Sequence, residues 1–368
     1  MRLGIGGRLK YRLFLGCVAL CLPGISLAGA ELSAGVWWVY QNASEGDGDG
    51  EFADPALIIY GSDDGSHGPW GFSAEMRIGT GSFSNAETNN SGDNFTLHKA
   101  WISYQLDENN QVKVGKSQVP FGWKTSNFWP GDMLQGGYGD QMDVGLKLSG
   151  SASNFSYDVA YYTQDDWGKT STDTVDDNGH WGSSANGAET YRKGETLVLN
   201  ADMEVADGHT IGASLQAGKL EDLAAFTANG KARDDGDHQA ADLHYYYTQG
   251  NFNFKYRYID VQRDFSDLAT CVAATLCPDG EIENQRHAIH LDYKMNKWLY
   301  YLEATTASSD TDGNSAGTVK AFAPGVSYQY GPGWLYLEYL WQDGFIDSFG
   351  DVGEGDFRAM YISFDFYF

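Results

Sequence analysis

Basic residues are scarce in this sequence. Its 368 residues hold 24 Lys and Arg against 50 Asp and Glu, a formal charge of −26. Phosphate backbones are bound by clustered cations, so nucleic acid is excluded as a partner. Cysteine is nearly absent: of four residues, Cys17 and Cys21 fall near the N-terminus and only Cys271 and Cys277 lie beyond it. A zinc centre needs further ligands at close spacing. None flanks that pair, so no metal and no cofactor is expected. Proline is held to 8 residues, which leaves long stretches free to pair as strands. Beyond Ala28 no apolar run is long enough to cross a membrane as a helix, and the mean hydropathy is −0.42. Helical periodicity is missing too. No nucleophile stands with a His and an orienting acid at a convincing spacing, which argues against an enzyme.

The one apolar run that is present stands at the start. Arg2, Arg8, Lys10 and Arg12 precede LFLGCVALCLPGISLA, and Ala28-Gly29-Ala30 fits a small-residue cleavage site. This predicts a secretory signal peptide over residues 1–30 and a mature domain over 31–368. Removing it leaves 20 basic residues against 50 acidic ones, a formal charge of −30. In the oxidising compartment beyond the membrane, Cys271 and Cys277 are expected to close a small disulfide loop.

The mature chain is polar, yet it carries most of 23 Tyr, 19 Phe and 11 Trp among 46 Gly. Its pattern has period two. In Phe252-Asn253-Phe254-Lys255-Tyr256-Arg257-Tyr258, aromatic and polar residues alternate, so a strand would show lipid one face and water the other. Such segments predict about sixteen strands: 31–41, 54–60, 70–79, 95–106, 110–118, 142–149, 153–163, 193–204, 209–220, 239–248, 251–262, 284–294, 297–307, 318–329, 333–342 and 356–368. From the fourth strand on, tight turns such as Asp107-Glu108-Asn109 and Gln249-Gly250 alternate with long polar loops near 119–141, 164–192, 221–238, 263–283, 308–317 and 343–355. The connection at 61–69 is longer than that scheme wants. The expectation is an antiparallel transmembrane β-barrel of a Gram-negative outer membrane, with short periplasmic turns and long outer loops. Its neighbours would be outer-membrane lipid and lipopolysaccharide.

Alternation also assigns faces. It sends Glu75, Arg77, Lys99, Lys113, Asp143 and Lys147 to the lumen from the third to sixth strands, and Lys255, Arg257, Arg286 and His290 from the eleventh and twelfth. Asp158, Asp202, Asp242, Asp292, Glu303, Glu338 and Asp365 are acidic lumen candidates. The pattern predicts a basic wall facing acids across a pore, an arrangement that selects ions. Trp37, Trp101, Tyr246, Tyr301 and Tyr336 share the lumen parity and could form an aromatic slide. The loop 119–141 holds Phe121, Trp123, Phe128 and Trp129, too much apolar surface for a loop in water. It is expected to fold into the barrel and narrow the pore, with Lys124, Asp132 and Asp140 near the constriction.

The run Val112-Lys113-Val114-Gly115-Lys116 into Val119-Pro120-Phe121-Gly122 resembles the strand-to-constriction-loop junction of Gram-negative porins. Asp143-Val144-Gly145-Leu146-Lys147-Leu148-Ser149-Gly150, followed by Phe155-Ser156-Tyr157-Asp158-Val159-Ala160-Tyr161-Tyr162, is similar to the next hairpin of the phosphate-selective porin O and P superfamily. The final strand ends on Phe368, as in porins that signal to the barrel-assembly machinery. The resemblance implies a sixteen-stranded homotrimeric pore with an inward third loop, passing small hydrophilic solutes or ions by passive diffusion. Phosphate-selective members carry dense Arg and Lys in the eyelet. This loop has only Lys124, so phosphate selectivity does not follow with the fold. A channel specific for anions or sugars is the alternative, ahead of an adhesin or an outer-membrane enzyme.

Overall fold

The computed structural model describes residues 29–43, 50–80, 95–125, 127–165, 191–226, 232–265, 280–347 and 349–368. The expected signal peptide, apart from its last two residues, and the expected disulfide of Cys271 and Cys277 lie outside them. Sixteen strands form one closed antiparallel barrel. They are β1 (Glu31–Ala43), β2 (Glu51–His67), β3 (Trp70–Ile78), β4 (Phe95–Gln105), β5 (Asn110–Gln118), β6 (Met142–Ala152), β7 (Phe155–Gln164), β8 (Tyr191–Ala206), β9 (His209–Phe226), β10 (Ala232–Gln249), β11 (Phe252–Phe265), β12 (Glu281–Met295), β13 (Trp298–Ser309), β14 (Val319–Gln329), β15 (Trp334–Ile346) and β16 (Val352–Tyr367). Each strand pairs with its sequence neighbours. The ring shuts between β1 and β16, with Gly35 opposite Tyr367 and Ala43 opposite Ala359. The amide of Phe368 donates to the Ala34 carbonyl at 2.8 Å, and Ala34 returns the bond at 2.9 Å. Closure matters because an open sheet edge would leave unsatisfied backbone groups in lipid.

The molecule is apolar outside and polar inside. Leu243, Ile102, Val114, Leu215 and Ile211 all point outward, each more than half exposed on the isolated chain. Lipid is the solvent that makes such a surface stable. Aromatic pairs mark its short-turn edge, including Trp70 with Tyr104 at 4.7 Å and Trp298 with Tyr328 at 4.6 Å, as expected of side chains at a membrane interface. On the inner parity, Arg257, Arg286, Asp242, Glu303, Glu338 and Asp365 are buried.

Two connections differ from the sequence reading. The 61–69 segment is strand to His67, followed by a tight turn at Gly68 and Pro69, so the short–long alternation holds from the first hairpin. The region 221–238 is mostly strand, because β9 runs to Phe226 and β10 starts at Ala232. These strands reach beyond the apolar belt. Outward residues there, such as Lys219 and Asp237, are polar and pair at 2.5 Å, so the alternation that marks a strand in lipid is invisible.

Candidate pore constriction

Residues 119–141 do not extend into solvent. They follow the inner wall from β7 round to β1. Phe121 and Tyr138 pack with Ala160, Tyr162, Val198, Ala240, Ile259 and Val261 on β7, β8, β10 and β11. The Gly122 amide donates to Ser214 Oγ of β9 at 3.0 Å. Thr125 Oγ1 donates to Glu303 of β13 at 2.8 Å. Asn127 reaches the Ala323 carbonyl of β14 at 3.3 Å. The Phe128 and Trp129 amides donate to the two carboxylate oxygens of Glu338 on β15 at 2.8 and 3.0 Å. Phe128 then stacks on Tyr336 with centroids 4.4 Å apart and meets Trp37 of β1 edge-on at 5.9 Å. The loop turns back through a short 3-10 turn, Met133–Gln135, whose Met133 and Leu134 sit in a cluster with residues of β1 and β13 to β16. The apolar residues that marked this loop in the sequence are therefore the ones that seat it.

Arginines hold it from the wall. Arg257 donates Nε to Asp242 at 2.7 Å and its terminal nitrogens to the Phe121 carbonyl at 3.1 Å, the Tyr138 carbonyl at 3.0 Å and Gln135 Oε1 at 3.0 Å. Asp242 is in turn bonded to His244 Nδ1 at 2.5 Å, and His244 Nε2 lies 2.8 Å from Asp202. Arg286 donates to the Gln135 carbonyl, to Asn284 Oδ1 at 2.8 Å and to the Gly350 carbonyl at 2.8 Å. One guanidinium thus ties the inner loop to the loop between β15 and β16. Two glycines make room. Gly122 and Gly136 have φ of +62° and +61°, and a Cβ on either would strike Arg257 or Arg286 respectively.

The expected lumen residues now divide. Arg257 and Arg286 face inward as alternation requires, but both are 0% exposed. They are loop anchors, not pore-lining groups, because the loop covers them. Asp132 is also not at the pore. It is wholly buried, with φ +59°, and its carboxylate accepts the Gly137 and Gly139 amides. Lys124 and Asp140 pair at 2.8 Å, with the lysine side chain half exposed. Lys255 lies within electrostatic reach of Glu303 and Asp292. The acids Glu303 and Glu338, expected to line the far wall, are covered by the loop residues that bond to them. Tyr301 donates to Glu338 at 2.6 Å beneath the same loop, and Tyr246 packs on Trp123, so neither extends an aromatic slide.

On β3 to β5 the expected lumen cations Arg77, Lys99 and Lys113 stay partly exposed, whereas Glu75 and, on β6, Asp143 and Lys147 are buried. Arg77 pairs with Glu75 at 2.9 Å and lies over the Trp37 ring at 5.1 Å. Lys99 stands opposite Glu75 in the β3–β4 ladder. Lys113 sits over Trp101 at 4.6 Å and is the ladder partner of Lys147. Lys147 donates to the Gln118 carbonyl at 2.7 Å. Sequence reasoning missed His98. The β3–β4 register shifts between Glu75 and Met76, leaving His98 as an extra residue. Such a bulge re-aims a side chain against the simple alternation. His98 lies within electrostatic reach of Arg77, Lys124, Lys116 and Lys99, so the wall and the loop lysine share one cationic region. Arg263, Lys193 and the buried Lys116 were also missed. Arg263 and Lys193 belong to strand ends beyond the apolar belt, and Arg263 donates to the Phe349 carbonyl at 2.9 Å. Among the described residues no cluster of His, Cys, Asp and Glu is placed to hold a metal ion.

Comparison with known proteins agrees with the barrel fold. Residues 66–219 match the model of the family described as phosphate-selective porin O and P. An anion-selective porin from Comamonas acidovorans is similar in fold, with a TM-score of 0.57 at 11% identity, covering 92% of this chain and 99% of its own. The outer membrane channel DcaP of Acinetobacter baumannii gives 0.60 at 12% identity, with 93% and 99% covered. OmpT of Vibrio cholerae, folded in vitro and described in a trimer form, gives 0.59 at 13% identity, with 92% and 99% covered. No curated protein matches the chain by sequence. The fold defines the class: a closed, porin-type β-barrel. Within that class the chain is similar, over residues 66–219, to phosphate-selective porin O and P.

Proposed function

We propose that this protein is a water-filled diffusion channel of the outer membrane whose constriction favours small anions over cations. One observation carries the ion preference. The inner loop lies over the acidic part of the wall, where Glu303, Glu338 and Asp242 are bonded to the loop or to its anchor. Arg77, Lys99 and Lys113, on β3 to β5, stay partly exposed. The chain is acidic as a whole, but a solute at the narrowest point meets the local field of the lining residues, and the acidic loops beyond are screened within about 10 Å at 0.1 M salt.

Purified protein in a planar bilayer under a KCl gradient tests this. The reversal potential should take the sign of chloride permeation, and Lys99→Gln with Lys113→Gln should move it toward zero. A potential of the opposite sign, or no conductance from a folded barrel, overturns the reading.

A channel accounts for the buried histidine better than an enzyme does. Both ring nitrogens of His244 are engaged by carboxylates, and Asp242 also holds Arg257. That group braces the loop and leaves no free base. Assembly as a homotrimer, contact with lipopolysaccharide and recognition of Phe368 by the barrel-assembly machinery belong to the same reading.

A further inference from the structure

Three features of the arc from β3 to β5 bear on which anions pass. First, its cations are set against rings. The Arg77 guanidinium lies 5.1 Å from the Trp37 centroid and the Lys113 ammonium 4.6 Å from that of Trp101. Second, the loop adds partly exposed aromatic surface beside Trp37. Phe128 is stacked on Tyr336, and Lys124 lies within electrostatic reach of His98 on the wall. Third, the guanidiniums beneath the loops are withheld, and the one in the arc is already paired with a carboxylate. Arg77 donates Nε to Glu75 at 2.9 Å. Arg257, Arg263 and Arg286 are 0% exposed, bonded to loop carbonyls.

Inorganic phosphate loses a strongly held hydration shell at a constriction and needs several converging donors to replace it, a task suited to planar, bidentate guanidiniums. The arc offers one guanidinium, Arg77, already paired through Nε with Glu75, and the ammonium groups of Lys99 and Lys113, the latter beside a ring. A carboxylate can take one ammonium while a planar body attached to it lies against Trp101, Phe128 or Tyr336. We propose that, among anions, the constriction prefers organic carboxylates with a planar apolar body to inorganic phosphate. This inference rests on the anion-preferring reading above and deepens it.

The test uses the full-length protein in a planar bilayer, with the KCl reversal potential recorded first. A cation preference at that step ends the underlying reading. With chloride preference established, sodium benzoate, sodium acetate and inorganic phosphate are each titrated against the chloride current. Benzoate is expected to reduce the current at a concentration about tenfold below that of acetate, the size of one or two aromatic contacts, and below that of phosphate. Trp101→Ala should remove most of the gap between benzoate and acetate, whereas Trp101→Phe should keep it. The heat-modifiable gel mobility of each variant reports that the barrel is folded. Phosphate acting at or below the benzoate concentration overturns the proposal. So does equal action of benzoate and acetate on the native channel, or a gap that survives in folded Trp101→Ala.

Discussion

Arg257 shows how one side chain converts a sequence feature into a pore shape. It could be assigned to the lumen from alternation alone, and its inward direction is correct. Its charge is nevertheless directed into Asp242 and three groups of the inner loop, not into the pore. Arg257→Gln should leave Asp242 buried and short of its cation, a change that costs about 3–5 kcal/mol when a buried pair is broken. The expected result is a larger, noisier single-channel conductance with the barrel intact. Arg257→Lys should rescue it poorly, because an ammonium cannot span the same fork of acceptors. A pH effect sits in the loop between β15 and β16. Burial pushes the Asp347 carboxyl up to about 6, with Asp351 beside it adding to the effect and opposing amide bonds from Phe349 and Asp351. In the unfolded chain an aspartate titrates near 4. The folded loop therefore takes up a proton between those values. Its stabilisation is fully present below about pH 4 and is lost as pH rises through 6, by an amount on the order of 1–3 kcal/mol. Amide exchange at Phe349 and Asp351, corrected for intrinsic rates, should show more protection at pH 5 than at pH 7, and Asp347→Asn should flatten that dependence.

At the level of elements, the strands were legible and their ends were not. Within lipid the outward face must be apolar, so β11 reads clearly from Phe252 to Tyr258. Past that point its outward residues are Asp260, Gln262 and Asp264, which face water and carry no pattern. Arg263, on the inner face of that extension, was read as loop for this reason. The aromatic content of 119–141 revealed that the loop folds inward, because four large rings are not stable in water. Which part of the wall it would cover was not legible, since that depends on partners more than 80 residues away, such as Ser214 and Glu338. The inner loop and the last loop are also coupled in a way no local pattern shows. Arg286 bonds carbonyls of both. Arg286→Gln should raise exchange at residues 135–137 and 349–351 together, whereas loops that move independently would respond separately.

For the molecule as a whole, the inside-out arrangement sets where charge can be added. Leu199 on β8 faces lipid opposite Leu215 on β9. Leu199→Arg should cost about 2–4 kcal/mol if it lies near the bilayer midplane, and Leu106→Arg, in the turn after β4, about 0–1. Urea unfolding in lipid vesicles distinguishes them, and equal midpoints would contradict the placement of the apolar belt. The strongly negative formal charge, by contrast, says little about the pore. On the proposed reading, a solute at the constriction meets the nearby lining residues and not that total.

The sequence by itself determined the class of architecture, because the requirement that every backbone group be bonded within lipid leaves a polar, alternating chain only a closed barrel. It also determined the direction in which most strand side chains point, since period two follows from strand geometry. Only the tertiary structure decided which inward charges meet the solute. Whether a given arginine lines the pore or sits beneath the loop depends on where residues 119–141 come to rest, and that is set by contacts made across the whole width of the barrel.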